Sequence, residues 1–339
     1  MKTKYILLLL FFFFSGLSSR VLAQDVHFSQ IFATPLFYSP AATGDYEGEW
    51  RVMNTYRTQW RQVATPFVSN ALAVDKQFSH FANTFSAGLM YINDNSGDVR
   101  IKSNKVYLSG GYHSIFNQKS TWHVGLQLGF VRKALEDGYS FPNQFNNDIG
   151  TFDPTLPSEE DNLNDALSYL DVNVGGFWRG KLGPITPTLG GAIFHLNNPT
   201  ESFQGEKQKL PLRYMANVGV RWDITSLLDL TPYLLASYHA KASEVLGGAD
   251  LRIHFRPNNA GLQYLFGGAF YRMGVERITD ALVYKVGLRV QNLRIGVSYD
   301  SNISELQTAS NQEGAYELSL IYIKPSLKPS KPQVPCDRF

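Results

Sequence analysis

Cysteine is nearly absent. The 339 residues contain one, Cys336, so no intrachain disulfide can stabilise the fold. Charge of one sign is lacking too, with 31 Lys and Arg against 29 Asp and Glu. The seven histidines form no HExxH or other ligand-spaced cluster, and no Gly-Gly pair is followed by the Lys-Ser/Thr of a phosphate loop. Metal and nucleotide chemistry therefore have no sequence support. Disorder is excluded by 44% hydrophobic and 18% charged residues.

The apolar run at 6–14 is too short for a membrane span. Lys2 and Lys4 precede it and Val21-Leu22-Ala23 follows, which reads as a secretory signal over residues 1–23, cleaved before Gln24. An uncleaved anchor is the other reading of this segment. Cleavage removes Lys2, Lys4 and Arg20, three of the 31 basic residues, leaving 28 against 29 acids. The basic balance of the full sequence thus implies no nucleic-acid partner.

Aromatics and glycine are plentiful, with 18 Tyr, 23 Phe, 5 Trp and 28 Gly, a mixture that favours strands and tight turns. Leu282, Tyr284, Val286, Leu288 and Val290 alternate with Lys285, Gly287 and Arg289. After a turn at Gln291-Asn292 the alternation resumes through Leu293, Ile295, Val297 and Tyr299. Successive strand residues point to opposite faces, so one face is apolar and the other charged. A soluble sandwich would give the same local signal, but here it recurs along nearly the whole chain. Strands are expected at about 48–61, 66–78, 83–93, 99–115, 121–134, 168–180, 184–196, 211–225, 230–242, 246–256, 260–272, 280–291, 292–302 and 313–324. The connections sort by parity: those at 134–167, 197–210 and 302–313 are long and all follow odd-numbered strands. A sandwich has no reason to sort its loops this way. The expected fold is all-β, a transmembrane antiparallel barrel of about 14 strands in the bacterial outer membrane.

Residues 24–47 carry Pro35 and Pro40 and no clean period. They read as a linker or as a segment in or under the barrel, and composition leans to the linker. The barrel is expected over 48–324. The loop at 134–167 contains Phe141, Phe145, Phe152 and Asp153, and Ser158-Glu159-Glu160-Asp161 resembles a helix start. Beyond Lys324 a basic, proline-rich tail covers 325–339. Inward positions mix Arg51, Arg57, Arg221, Arg252, Arg256, Arg289 and Arg294 with Asp171, Asp223, Asp250, Asp300 and Glu317. Mixed signs can pair across a lumen and fill it, which favours a plugged barrel over a pore. His113 and His123 flank one turn on inward positions, a polar pair rather than a metal site. Ser237 and His239 share a strand face, too common a spacing to argue a hydrolase.

His27-Phe28-Ser29-Gln30, 35–41 (PLFYSPA), the strand 51–60 with its Tyr-Arg-x-Gln-Trp end, and the closing Cys336-Asp337-Arg338-Phe339 resemble the PorP/SprF family of the type IX secretion and gliding-motility machinery. The sequence departs from the usual family pattern at Ser39, commonly Asn, and at Asp337, commonly Pro. The resemblance implies a non-enzymatic outer-membrane protein without cofactors that docks a secreted surface protein or adhesin through its C-terminal sorting domain. It also implies periplasmic secretion or peptidoglycan-associated partners. Phe141, Phe145, Phe152 and Asp153 are the expected outer partner-binding residues, because aromatic anchors dominate interfaces, and the tail from Lys324 onward is the expected inner contact. A small-solute or hydrophobic-compound porin is the alternative.

Overall fold

The structure is a computed structural model that describes residues 26–61, 65–80, 83–96, 101–117, 119–135, 142–146, 149–153, 155–156, 165–203, 208–240, 242–256, 261–274, 280–304 and 313–326. The expected signal, Phe141, the helix start at 158–161, Cys336 and the tail beyond 326 lie outside the described residues.

Fourteen antiparallel strands form a closed barrel. Its first half comprises β1 (Trp50–Gln59), β2 (Phe67–His80), β3 (Asn83–Ser96), β4 (Ile101–Asn117) and β5 (Ser120–Leu135). A two-residue hairpin, β6 (Phe145–Asn146) and β7 (Thr151–Phe152), stands apart in the longest connection. The wall resumes with β8 (Ala166–Gly180), β9 (Ile185–Phe194), β10 (Arg213–Thr225), β11 (Leu228–His239) and β12 (Ala242–His254). It is completed by β13 (Leu262–Gly274), β14 (Ala281–Val290), β15 (Leu293–Asn302) and β16 (Glu313–Lys324). Pairing of β1 with β16 from Trp50↔Lys324 to Gln59↔Ala315 closes the seam, so no wall strand is an edge strand.

The alternation read from the sequence is the pleat of this wall. On β5, Trp122, Val124, Leu126, Leu128 and Phe130 are exposed on the outer surface, while His123 and Gln127 are buried inside. Tyr284 and Val286 face out on β14, with Lys285 buried between them. In water so large an apolar band would be a liability; in a bilayer it is the solvated face. Phe78, Phe85, Phe116, Trp122, Trp222 and Phe255 girdle the end where the barrel strands begin and finish, as interfacial aromatics do. That end carries the short connections and is the periplasmic side; the long connections mark the outer side.

The lead whose composition leans to a linker lies inside the barrel. Phe28, Ile31, Leu36, Phe37 and Ala41 are buried within the lumen. Pro35 opens a single helical turn, Pro35–Tyr38, and Pro40 a 3-10 turn, Pro40–Ala42, with extended Ser39 between them. Proline is preset for the first position of such turns and cannot donate to a ladder. Val26 packs into the same cluster as Leu167 and Leu210, at the outer end. The segment therefore descends through the lumen before turning into β1 at the periplasmic end.

Leu128 stands in the middle of the lipid face. Leu128→Arg is expected to destabilise the folded barrel by about 2–4 kcal/mol, measured as a shift in the urea unfolding curve in lipid vesicles.

Candidate functional site

The lumen is organised by charge. At its outer half, the backbone N–H groups of Ser29 and Gln30 donate to Glu317 Oε1 and Oε2 at 2.5 and 2.9 Å. Ser29 Oγ donates to Asp300 Oδ2 at 2.7 Å and accepts from Arg57 and Arg272, each at 3.0 Å. Arg57 also reaches Glu317 at 2.7 Å and Asp300 at 3.0 Å, and Arg272 bridges Asp300 and Asp280 at 3.0 and 2.6 Å. The carboxylates that hold the plug are themselves held by the wall. Tyr38 donates its hydroxyl to the Phe28 carbonyl, and Phe28 packs edge-on against Phe37 at 5.3 Å.

Lower down, Arg51 binds Asp75 through two nitrogens at 3.0 and 2.7 Å and donates to the Ala42 carbonyl at 3.1 Å. Gly44, at φ 78°, donates its N–H to Asp75 Oδ2 at 2.7 Å. His113 and His123 do face each other, opposed across β4 and β5 with ring centroids 4.3 Å apart. His113 Nε2 donates to the Thr43 carbonyl at 2.7 Å, so that nitrogen offers no lone pair to a metal. No group of three metal-ligating side chains occurs among the described residues. Inward glycines make the space: a Cβ on Gly125 would overlap the Pro40 carbonyl, and one on Gly175 would crowd Ser39 Oγ.

Several of these groups were not singled out as pairs from the sequence. Arg51 and Arg57 read as inward, but Asp75, the partner of Arg51, and the second arginine Arg272 were not singled out. Asp250 and Asp171 read as inward, but their pairing with Lys285 at 2.9 Å and His195 at 2.9 Å was not foreseen. The available signal was position: all but His195, which follows β9, sit at polar steps of alternating strands.

At the periplasmic exit, Arg179 holds Asp45 with both terminal nitrogens at 2.8 Å. Burial pushes the Asp45 carboxyl up, and the Arg179 guanidinium outweighs it, bringing the pKa from 3.8 to about 2.

On the outer side, β6 and β7 pair Phe145 with Phe152, whose half-exposed rings meet edge to face at 5.2 Å. Asp153 does not join them as a free carboxylate. Its Oδ1 accepts from the Thr155 N–H at 2.9 Å and hydroxyl at 2.6 Å, which holds its pKa below the ordinary value. Its own N–H donates to Gln144 O at 2.9 Å, so its visible role is to fold the loop.

An aromatic-girdled barrel occupied by its own N-terminal segment defines an outer-membrane β-barrel protein. The chain belongs to the PorP/SprF family: the family model described as type IX secretion system membrane protein PorP/SprF matches residues 21–322. No curated protein matches it. Among solved structures it is similar in fold to the CymD monoaromatic hydrocarbon channel, at 10% identity and TM-score 0.50, covering 89% of this chain and 95% of that one. A TodX deltaS2S3 mutant monoaromatic hydrocarbon channel matches at 11% identity and TM-score 0.50, covering 84% and 92%. The Ralstonia pickettii toluene transporter TbuX matches at 10% and 0.49, covering 85% and 92%. The likeness to the first two bears on the barrel fold alone.

Gly125→Val is expected to dislodge the turn at Pro40 and convert a barrel without steady porin-sized conductance into a leaky one in planar bilayers. Unchanged conductance would refute the fit of wall to plug. The Asp45–Arg179 clasp has a signed pH dependence. A depressed carboxylate stabilises the folded arrangement above its unfolded pKa and loses that contribution as pH falls through the lower value. Hydrogen exchange over 45–49, corrected for intrinsic rate, is expected to stay low above about pH 4 and to rise toward pH 2, whereas Asp45→Asn exchanges fast throughout.

Proposed function

We propose that this protein anchors a secreted protein at the cell surface, holding that protein's C-terminal sorting domain with its outer loops. The observation that carries the reading is the occupied lumen: residues 28–44 fill the space a conduit would need, fixed by Ser29, Gln30 and Gly44 to buried carboxylates. A barrel without a passage works through its ends. Membership of a type IX secretion family supports a secreted protein as the partner. The outer end offers the exposed Phe145–Phe152 pair on a hairpin braced by Asp153 and Thr155. Exposed paired aromatics supply a large contact area at little entropic cost. No catalytic grouping enters this reading, and periplasmic partners meet the opposite end.

The test is purification of the tagged mature protein from its native outer membrane in mild detergent, with mass spectrometry of what accompanies it. A near-stoichiometric secreted protein is expected. The double substitution Phe145→Ala/Phe152→Ala is expected to lower its recovery by about tenfold while the barrel still shows heat-modifiable mobility. A barrel that purifies alone and conducts ions would give the case to a porin.

A further inference from the structure

Nearly every charge on the plugged part of the lumen has an opposite partner, but one sector of the periplasmic mouth does not follow the rule. Strand register builds it. On β11 and β12, Asp229 lies opposite Arg252, and on β12 and β13, Arg252 lies opposite Phe266 and His254 opposite Tyr264. Tyr264 in turn faces Arg289 on β14, and Arg289 lies directly opposite Arg294 on β15. Like charges directly opposed across two strands destabilise a sheet unless something neutralises them. Among the described residues no carboxylate forms an ion pair with either, and Asp250, which acts on Arg294 from further off, is bound to Lys285. Arg289 Nε donates to the Gln291 carbonyl at 3.2 Å, and the Arg294 guanidinium lies 4.3 Å from the centre of the Phe266 ring. Arg252 and Arg221 complete the wall. Their partners are Asp229 at 3.2 Å and a half-exposed Asp223 at 3.3 Å, both longer than the buried lumen pairs. Four arginines therefore face two aspartates.

Beside this sector lies a cavity of about 600 Å³ lined by Arg221, Asp223, Thr225, Ser226, Asp229, Arg252 and His254, where two arginines meet two aspartates; Arg289 and Arg294 lie on the strands beyond Arg252. Above this mouth the lumen is filled by the plug. Phe32 meets Tyr233 at 5.0 Å, Lys285 bridges to Asp250 at 2.9 Å and lies 5.0 Å from the Phe32 ring centre, and Gln30 accepts from Ser319 at 2.7 Å one inward step above Arg294. The periplasmic mouth is thus a vestibule with the plug above it, and its charge excess is the Arg289–Arg294 pair. Such a mouth can hold an end.

We infer that this vestibule is a docking site for an acidic segment of a separate periplasmic protein, whose carboxylates neutralise Arg289 and Arg294. Planar guanidinium forks suit carboxylates, and the part-buried Tyr264 ring and the buried Phe266 ring flank them. The chain's own segment after Lys324 is the wrong occupant by charge: Lys328, Lys331 and Arg338 outnumber Asp337. The inference does not depend on what the outer loops hold.

The probe is a fluorescein-labelled octaglutamate peptide, titrated by anisotropy against the full mature chain in detergent. Saturable binding that weakens with salt is expected. Arg289→Gln/Arg294→Gln should weaken it about tenfold or more, while Arg289→Lys/Arg294→Lys, which keeps the charge, should weaken it far less. Heat-modifiable mobility reports whether each variant is folded, so the Lys pair preserves the test if the Gln pair misfolds. Equal affinity of the Gln variant and the wild type would overturn the site. Equal binding of octalysine would do the same. Truncation after Lys324 that raises affinity tenfold would show the tail already seated there and overturn the assignment to another protein.

Discussion

The structure depends on pairing charge inside a wall whose other face meets lipid. Arg57, Arg272, Asp300 and Glu317 are each almost completely buried, and Ser29 sits among them. Arg57 and Glu317 are also direct partners across the seam of β1 and β16. One set of contacts thus joins the first strand to the last and holds the plug's outer end. Stripping one member from such a cluster leaves an uncompensated buried charge, a loss of about 3–5 kcal/mol, although apolar residues filling the same volume could be as stable. What the charged cluster adds is position: Ser29 and Gln30 can be held in one place only, because their N–H groups need both oxygens of Glu317.

The lower half of the plug is placed by shape. Gly125 and Gly175 admit the turn at Pro40, and the small side chains of Ser86 and Ser109 accept Thr43, whose hydroxyl donates to Ser109 at 2.9 Å and whose carbonyl accepts from Ser86 at 2.6 Å. Larger residues at those inward steps would take the volume of the backbone that passes there. The wall is therefore patterned twice, with a period of two that serves the bilayer and a sparser set of small residues that follows the plug.

Only the first pattern was legible in the sequence. All fourteen expected wall strands occur, offset by a few residues at their ends; the strand expected at 260–272, for example, runs Leu262–Gly274. Loop parity was legible because membrane insertion leaves long connections on one side. The plug was legible only as one of two readings of 24–47, and its residues explain why. Its N–H groups at Ser29, Gln30 and Gly44 are satisfied by wall carboxylates rather than by a ladder, so no period marks it. Its prolines, which read as linker punctuation, start helical turns instead. Arg51 and Arg57 could be placed facing inward, but pairing with Asp75 and Asp300 is set by register around the barrel, which one sequence does not display. The outer hairpin is two residues per strand, too short for any period, and Asp153 gave no sign that Thr155 would claim it.

Opposed energetics bear on the choice between a pore and a fixture. Opening a passage means freeing residues 28–44, and that breaks the Ser29–Gln30 attachment to Glu317 and Asp300 together with the Gly44 attachment to Asp75. Each break leaves carboxylates and guanidinia short of a bond in a confined lumen. Even two losses at about 3 kcal/mol each would keep the cleared state below about one molecule in 10⁴, before counting the apolar cluster around Phe28, Leu36 and Phe37. Here the plug is tied to the wall near both ends, to Glu317 and Asp300 on the outer side and to Asp75 below, so a load on one end would be shared with the other. That coupling suits a protein held between something outside the cell and something beneath the membrane.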